Sequence, residues 1–450
     1  MAKSKKISFS KTIHVRHTCD VLVAGGGTAG AAAAIVAARQ GAKVLLVERM
    51  GCLGGLGTSG LVPGFCPMWD GTNLLADGVN REVVERLHAQ GGVGPDVKPN
   101  QWSGVTFDAE VLKRVLDDMV VESGVTLRFA TEMVDVVMKG QTIAAVVLCG
   151  REGLYAVEAK VFVDGTGDGM LSVLAGAPWE LGDEKGNTQG MTLCSILSGV
   201  DWDAYMKFLG ETKQGHALHD TLERAIADGF FTQPDRHLPG VRRSARTFIG
   251  GNISHVYGRN AVDDEQLTES YILGRKLAKE YLDFYRKYVK GFESAELATT
   301  AALMGIRETR RIMGDYVLNI ADFKARASFP DEIGRYNYPI DIHRSSTDEE
   351  DYRKFWKEFT EEMRLKKGES YGIPYRSLIP KDVENLLVAG RCISTDRKMQ
   401  GSIRVMPGCF ITGQAAGMAA ALCAAKGRRP RDVDANHLRD NLRGMGAYLP

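Results

Sequence analysis

Three glycines and one glutamate carry the most specific chemistry in this chain. In the run 20–48, DVLVAGGGTAGAAAAIVAARQGAKVLLVE, Gly25, Gly27 and Gly30 fall in a Gly-x-Gly-x-x-Gly spacing. The first glycine permits a tight turn out of a strand. The second lets backbone N–H groups approach a pyrophosphate, and the third lets a helix pack close to the strand. The partial positive charge of the helix N-terminus favours the phosphates. Glu48 stands 21 residues beyond Gly27 (48 − 27), near the offset of about 20 at which a carboxylate meets ribose hydroxyls. The pattern points to a bound dinucleotide. A glycine-rich turn without a ligand leaves Glu48 unexplained.

The elements that must hold these residues are legible around them. DVLVA and KVLLV are short apolar runs, and the Ala-rich segment between them has helical character, so the unit reads as β-α-β. A second glycine-rich stretch, RMGCLGGLGTSG, follows Glu48 and could lie against a flat ligand. Residues 108–123 have apolar positions at helical spacing, with Asp108 as N-cap and Gly124 as stop. VTLRFA reads as a strand. Runs 133–138, 142–149 and 154–159 predict a β-meander, and KVFVDGTGDG predicts a buried strand entering a turn. From 178 the pattern becomes irregular and richer in aromatics and charges, with a long amphipathic helix over 268–290. Glycine-rich motifs resume in ENLLVAGRCIS and GSIRVMPGCFITGQAAGMAAALCAA. The expected division is therefore 15–177 for the first part of a Rossmann-like α/β dinucleotide-binding domain and 178–369 for an inserted α+β substrate or cap domain. The binding domain resumes over 370–430, and 431–450 forms a C-terminal tail.

Bulk composition narrows the class. The chain has 450 residues, a formal net charge of +1, 44% hydrophobic and 25% charged residues. Neither nucleic acid nor an anionic membrane is indicated as a partner. The eight cysteines form no CxxC pair and no metal-ligand spacing, which fits buried free thiols in a reducing compartment and no metal. The basic N-terminus lacks an apolar signal core. The apolar helical segments 29–40 and 409–425 are too short or too rich in Gly and Ala for a convincing membrane span. A cytoplasmic protein is expected, with homo-oligomerisation left open.

Seven segments occur here in a familiar order: GGGTAGAAAAIVAARQGAKVLLVERMGCLGGLGT, VDGTGDGMLSVLAGAP, GIRETRRIMGDYVL, FPDEIGRYNYPIDIH, PYRSLIP, NLLVAGRCIS and RVMPGCFITGQAAGMAAAL. Together they resemble the bacterial FAD-dependent oxidoreductase family. That family is a branch of the two-dinucleotide-binding-domain flavoproteins, distantly similar to fumarate reductase and succinate dehydrogenase flavoprotein subunits. The resemblance spans residues of about 15 to 430 and implies a glutathione-reductase-type fold and an FAD cofactor.

By position, the resemblance implies that Gly25, Gly27, Thr28, Ala29 and Gly30 hold the pyrophosphate and Glu48 the adenosine ribose. Arg49, Gly54, Gly55 and Thr58 would line the path to the flavin, and the backbone near Val134 would meet adenine. Gly167 and Asp168 would form a second turn. Gly390 and Arg391 match a turn whose N–H reaches ribityl or phosphate oxygens. Gly413, Gln414 and Ala415 would begin the last helix, with its N-terminus toward the flavin pyrimidine. No second strand-linked GxGxxG is present: Gly91, Gly92 and Gly94 follow a helix-like run. A dedicated NAD(P)H domain is therefore not expected.

Candidates for the chemistry itself follow. Arg404, in the loop that corresponds to a Gly-x-x-Arg element, would bind a substrate carboxylate, or else pair structurally. His343 ends PIDIH and is the histidine inside a family-like motif. It would move a proton, or serve as a packed ring. Arg307, Arg310 and Arg311 are expected on one helix, to bind an acidic substrate or phosphates or to pair with Glu308 and Asp315. Tyr338 and Tyr375 could bond a substrate oxygen, and Cys52 lies near the expected flavin. The chain thus reads as an FAD-dependent dehydrogenase or reductase. It would move hydride between flavin N5 and a small organic molecule, with an anionic one compatible and the electron acceptor open. The alternative is an electron-transfer flavoprotein subunit of a larger complex.

Overall fold

The computed structural model describes residues 6–343, 359 and 362–450. Five strands run parallel in one sheet. Their spatial order is Thr126–Arg128, Val44–Val47, Val15–Ala24, Gly153–Asp164 and Leu386–Val388. The centre of this sheet is apolar on both faces, as a parallel sheet requires, and Val21, Leu22 and Val23 are fully buried. The β-meander is present as Glu132–Lys139, Thr142–Gly150 and Gly153–Asp164, paired antiparallel. Its third member and the buried strand predicted after it are one continuous strand. The first half of that strand pairs with the meander, and its second half pairs in parallel with Leu386–Val388.

The helix Thr28–Arg39 lies on this sheet and packs against Met406–Lys426. Small residues make the approach close. A Cβ on Gly413 would lie 2.2 Å from the Ala29 carbonyl oxygen, and one on Gly417 would lie 2.2 Å from that of Ala33. The Met406–Lys426 helix is long and apolar enough to cross a membrane by length and composition. In this fold, 89% of its most apolar window is buried in the protein core.

A second unit has an antiparallel sheet of Val241–Arg243, Ile249–Gly251, Ser195–Ser198 and Glu296–Thr300. It is covered by the helix Asp264–Tyr288, which Asp263 caps through the Gln266 N–H. Its own aromatic core is built from residues between Leu197 and Ala295. The expected cap boundary at 369 differs from this arrangement. Ile312, Phe323, Ile333, Tyr336 and Ile373 belong to the core of the main body, because the strand pair Glu332–Tyr336 and Tyr371–Pro374 packs there. The segment with a core of its own is shorter than 178–369.

Candidate functional site

The three glycines divide their work physically. Gly25 has φ +89°, and a Cβ there would stand 2.7 Å from the Gly165 oxygen, so the turn closes only with glycine. A Cβ on Gly30 would lie 1.8 Å from the Gly25 oxygen. Gly27 is different: nothing lies within 4 Å of its Cβ position. It is the N-cap of Thr28–Arg39, with no side chain capping that end. An open glycine at an uncapped helix N-terminus is a cradle for a phosphate group. Glu48 is buried beside it. Its carboxylate accepts from the Gly26 N–H (2.6 Å) and the Met50 N–H (2.7 Å). Burial pushes its pKa up, and the two N–H groups and Arg49 oppose that rise.

These residues open onto a cleft of about 770 Å³, lined also by Thr28, Ala29, Arg49, Gly55, Gly167, Asp168, Gly390, Arg391 and Arg404. A neighbouring hollow of about 590 Å³ shares Gly25, Glu48, Arg49 and Asp168 and reaches Thr131, Glu132 and Met133. The open cradle and the buried carboxylate beside it match a dinucleotide's pyrophosphate and ribose. Arg391 fixes the second turn by donating to the Gly167 oxygen (2.8 Å) and the Asp168 carboxylate (2.6 Å).

Several expected cofactor contacts take other roles. Val134 is itself exposed and does not line the hollow, which the residues just before it, Thr131, Glu132 and Met133, do line. Gly54 bonds its N–H to the Gly26 oxygen and pairs with Gly27, so it braces the turn from behind. Thr58 is buried, with its hydroxyl on the Leu53 carbonyl. Gly390 lines the cleft, but its N–H donates to Thr412 Oγ1 (3.0 Å). Gly413, Gln414 and Ala415 do not begin their helix, which starts at Met406, and it is not the last, since Ala435–Gly444 follows. Gly413 meets Ala29, and the Gln414 amide accepts from the Val79 N–H and donates to the Asp77 oxygen, holding the start of the helix Val79–Ala89.

Arg404 sits in the corner between the helices Arg397–Ile403 and Met406–Lys426 and lines the cleft. Its Nη2 donates to the Asp341 carbonyl (2.7 Å) and lies 3.4 Å from the Asp341 carboxylate. His343 Nε2 is 3.4 Å from the same carboxylate. His343 Nδ1 meets His255 Nε2 at 2.8 Å, and His255 Nδ1 meets Asp235 Oδ2 at 2.6 Å. The ring of His237 stands 5.2 Å from that of His255 and 5.0 Å from that of His343. Burial opposes charge on Asp341, yet His343 and then Arg404 outweigh it and hold the carboxyl far below its usual range. Burial, then the charge of His255, brings His237 down to about 4. Burial and Arg307 push His343 well below the usual imidazole value.

Arg307 is buried beside this group, but not on a helix. The stretch before the short strand Arg310–Ile312 is irregular, so the expected i, i+4 face does not exist. Its guanidinium donates to the Gly190 oxygen (2.8 Å), Thr192 Oγ1 (2.9 Å) and Asn252 Oδ1 (3.3 Å). Burial and the neighbouring Arg404 lower its pKa to about 10. Arg311 pairs with Glu308, and Arg310 lies over the Trp179 ring; both are structural. Tyr375 leaves the list of catalytic candidates, because its hydroxyl donates to the Pro430 carbonyl in the C-terminal packing. Tyr338 stays near the group, donating to Asp341 Oδ2 at 3.3 Å. Cys52 lies against Ser59 Oγ (3.2 Å) and does not line the cleft. The histidine group offers ligand atoms that the cysteine spacings did not announce. His237, His255 and His343 come within 4.8 Å of one another through their ligand atoms. No sequence spacing announces them, since they arrive from separate loops.

The chain belongs to the FAD dependent oxidoreductase family, whose profile matches residues 20–442. FAD is accordingly its cofactor, and the cradle at Gly27 with Glu48 is where the chain would hold it. Among relatives, digeranylgeranylglycerophospholipid reductase 2 of Methanothermobacter thermautotrophicus is 30% identical over 200 residues, covering 41% of this chain and 48% of that protein. The chain thus spans about half the length of that curated relative. A geranylgeranyl bacteriochlorophyll reductase-like protein from Thermoplasma acidophilum is 12% identical with a TM-score of 0.46, over 95% of this chain and 83% of that one. A flavin-dependent brominase is also 12% identical with a TM-score of 0.47, over 95% and 84%.

Proposed function

We propose that this FAD-dependent oxidoreductase is a dehydrogenase or reductase acting on a small organic molecule. It would move a hydride between flavin N5 and a carbon beside an oxygen function: an alcohol carbon, or a C–C bond next to a carbonyl or carboxylate. One observation carries this reading. Arg404 lines the cofactor cleft, and its guanidinium runs directly into the Asp341–His343 pair. A group suited to an oxygen anion and a group suited to proton movement are therefore joined through one carboxylate.

Bound FAD supplies the hydride chemistry. The chain's residues supply orientation and proton handling. Arg404 keeps an Nε–H that is buried and has no hydrogen-bond partner among the described residues. A substrate carboxylate or carbonyl oxygen would satisfy it in a charge-assisted bond. Asp341 holds the Arg404 fork in place and faces His343 Nε2. Both His343 ring nitrogens have partners, so the accompanying proton is handled by the histidine group as a unit rather than by one isolated ring.

The test is anaerobic flavin bleaching of the purified protein by a panel of small alcohols, hydroxy acids and saturated acids. At least one is expected to bleach the flavin with no other protein added. A flavin that no panel member reduces, but that exchanges electrons with a redox partner protein, would replace this reading with that of an electron-transfer subunit.

A further inference from the structure

The histidine group holds an arrangement that packing alone does not require. Asp235 and Asp341 are carboxylates, and a carboxylate accepts. Facing Asp235 Oδ2 at 2.6 Å, His255 Nδ1 carries its proton there. His343 Nε2 faces the Asp341 carboxylate, 3.4 Å away. The remaining ring nitrogens of this pair are His255 Nε2 and His343 Nδ1. They face each other at 2.8 Å. At that distance they share one proton, and a divalent ion bound by these nitrogens would displace it, since metal binding to imidazole releases protons. The His237 ring stands edge-on to both others, and ligand atoms of all three rings lie within 4.8 Å of one another.

We propose that His237, His255 and His343 form a binding site for a divalent first-row transition ion of the zinc or cobalt type, set beside Arg404 at the substrate end of the flavin cleft. Imidazole is a favoured ligand for such ions. Tetrahedral bonds of about 2.0–2.1 Å put ligand nitrogens roughly 3.3 Å apart. The observed separations, from 2.8 Å to within 4.8 Å, bracket that value. Two of the three rings already turn their far nitrogen to a carboxylate, which is how metal-bound imidazoles are commonly fixed. Three protein ligands leave a fourth position for water or a substrate oxygen, the pattern of an ion that works on a ligand rather than one that only braces the fold. The ion would polarise an oxygen function and ease loss of its proton. That last role rests on the hydride reading above; the site itself does not.

The experiment uses the full-length, FAD-loaded protein. It is stripped with a chelator, dialysed and titrated with Co2+. One ion per chain is expected, with the visible ligand-field bands of tetrahedral cobalt on the long-wavelength side of the flavin spectrum, and Zn2+ should displace it. His343→Ala and His237→Ala should abolish the bands while FAD content stays full, which controls for folding. Asp235→Asn should keep the bands but weaken Co2+ binding roughly 10- to 100-fold, as loss of a carboxylate behind a ligand does. Absence of the bands, or bands and affinity unchanged in His343→Ala, overturns the site. The two readings fail separately. Full substrate bleaching with no ion bound removes the metal and leaves hydride transfer. Stoichiometric Co2+ with no substrate bleaching does the reverse.

Discussion

At the scale of single residues, Gly27 and Gly30 look alike in sequence and differ in space. The Cβ of a substituted residue 27 would enter an open cleft, whereas at residue 30 it would enter the Gly25 carbonyl. Gly27→Val is therefore expected to purify soluble and folded but without the yellow of flavin. Gly30→Val should be recovered poorly or not at all. The absorbance ratio of flavin to protein, read with circular dichroism, separates the two. A fully flavinated Gly27→Val protein would refute the phosphate cradle. Arg404→Lys keeps the charge and loses the planar fork that reaches Asp341. FAD content should hold while substrate-driven bleaching slows by roughly ten- to a hundredfold, the equivalent of one charge-assisted bond of about 1.5–3 kcal/mol. Unchanged stopped-flow traces would place the substrate elsewhere.

At the scale of elements, the helix Met406–Lys426 shows how a motif can be read correctly as important and wrongly as to purpose. Its Gly-x-x-x-Gly face, Gly413 to Gly417, seats it on Thr28–Arg39, the helix that presents the phosphate cradle. Gly413→Val would force that pair apart. Overpacking of this kind costs typically about 1–3 kcal/mol, so a lowered thermal midpoint is expected, with flavin lost on heating at the same temperature. A thermal midpoint equal to wild type would show that the helices do not need this contact. The β-α-β unit, the meander and the helix after Asp108 were legible because period and caps act locally. The helix expected for Arg307–Arg311 was not, because arginine spacing on a polar stretch imposes no backbone. Tyr375 looked chemical in sequence, and only the three-dimensional position of Pro430 assigns its hydroxyl. Of the histidine group, only His343 stood in a motif. Asp235, His237 and His255 sit in loops of the inserted unit, where nothing local marks them.

At the scale of the whole molecule, one parallel sheet carries one dinucleotide cradle, and the inserted unit is built on an antiparallel sheet. The described residues contain no second parallel sheet. NADH and NADPH are therefore not expected to reduce the flavin efficiently. Stopped-flow mixing should stay well below roughly 10 per second, a typical turnover, and reduction at that rate by either nucleotide would contradict the reading. The candidate site lies where the two units meet: Asp235, His237 and His255 come from the inserted unit, and His343, Asp341 and Arg404 from the main body. A site assembled across such a joint could not be read from either unit's sequence alone.

The fifth parallel strand has a bearing on biosynthesis. Leu386–Val388 pairs with the second half of Gly153–Asp164, yet leaves the ribosome about 220 residues after it. At roughly 5–20 residues per second of synthesis, that interval is about 10–45 s. Throughout it, Phe162, Val163 and Asp164 present an unpaired apolar edge beside the nascent glycine turn. An edge exposed for that long invites a chaperone or a neighbouring nascent chain. Ribosome-bound intermediates halted shortly before residue 386 should accordingly be the ones that chaperones hold most tightly, and they should release once Val388 has emerged.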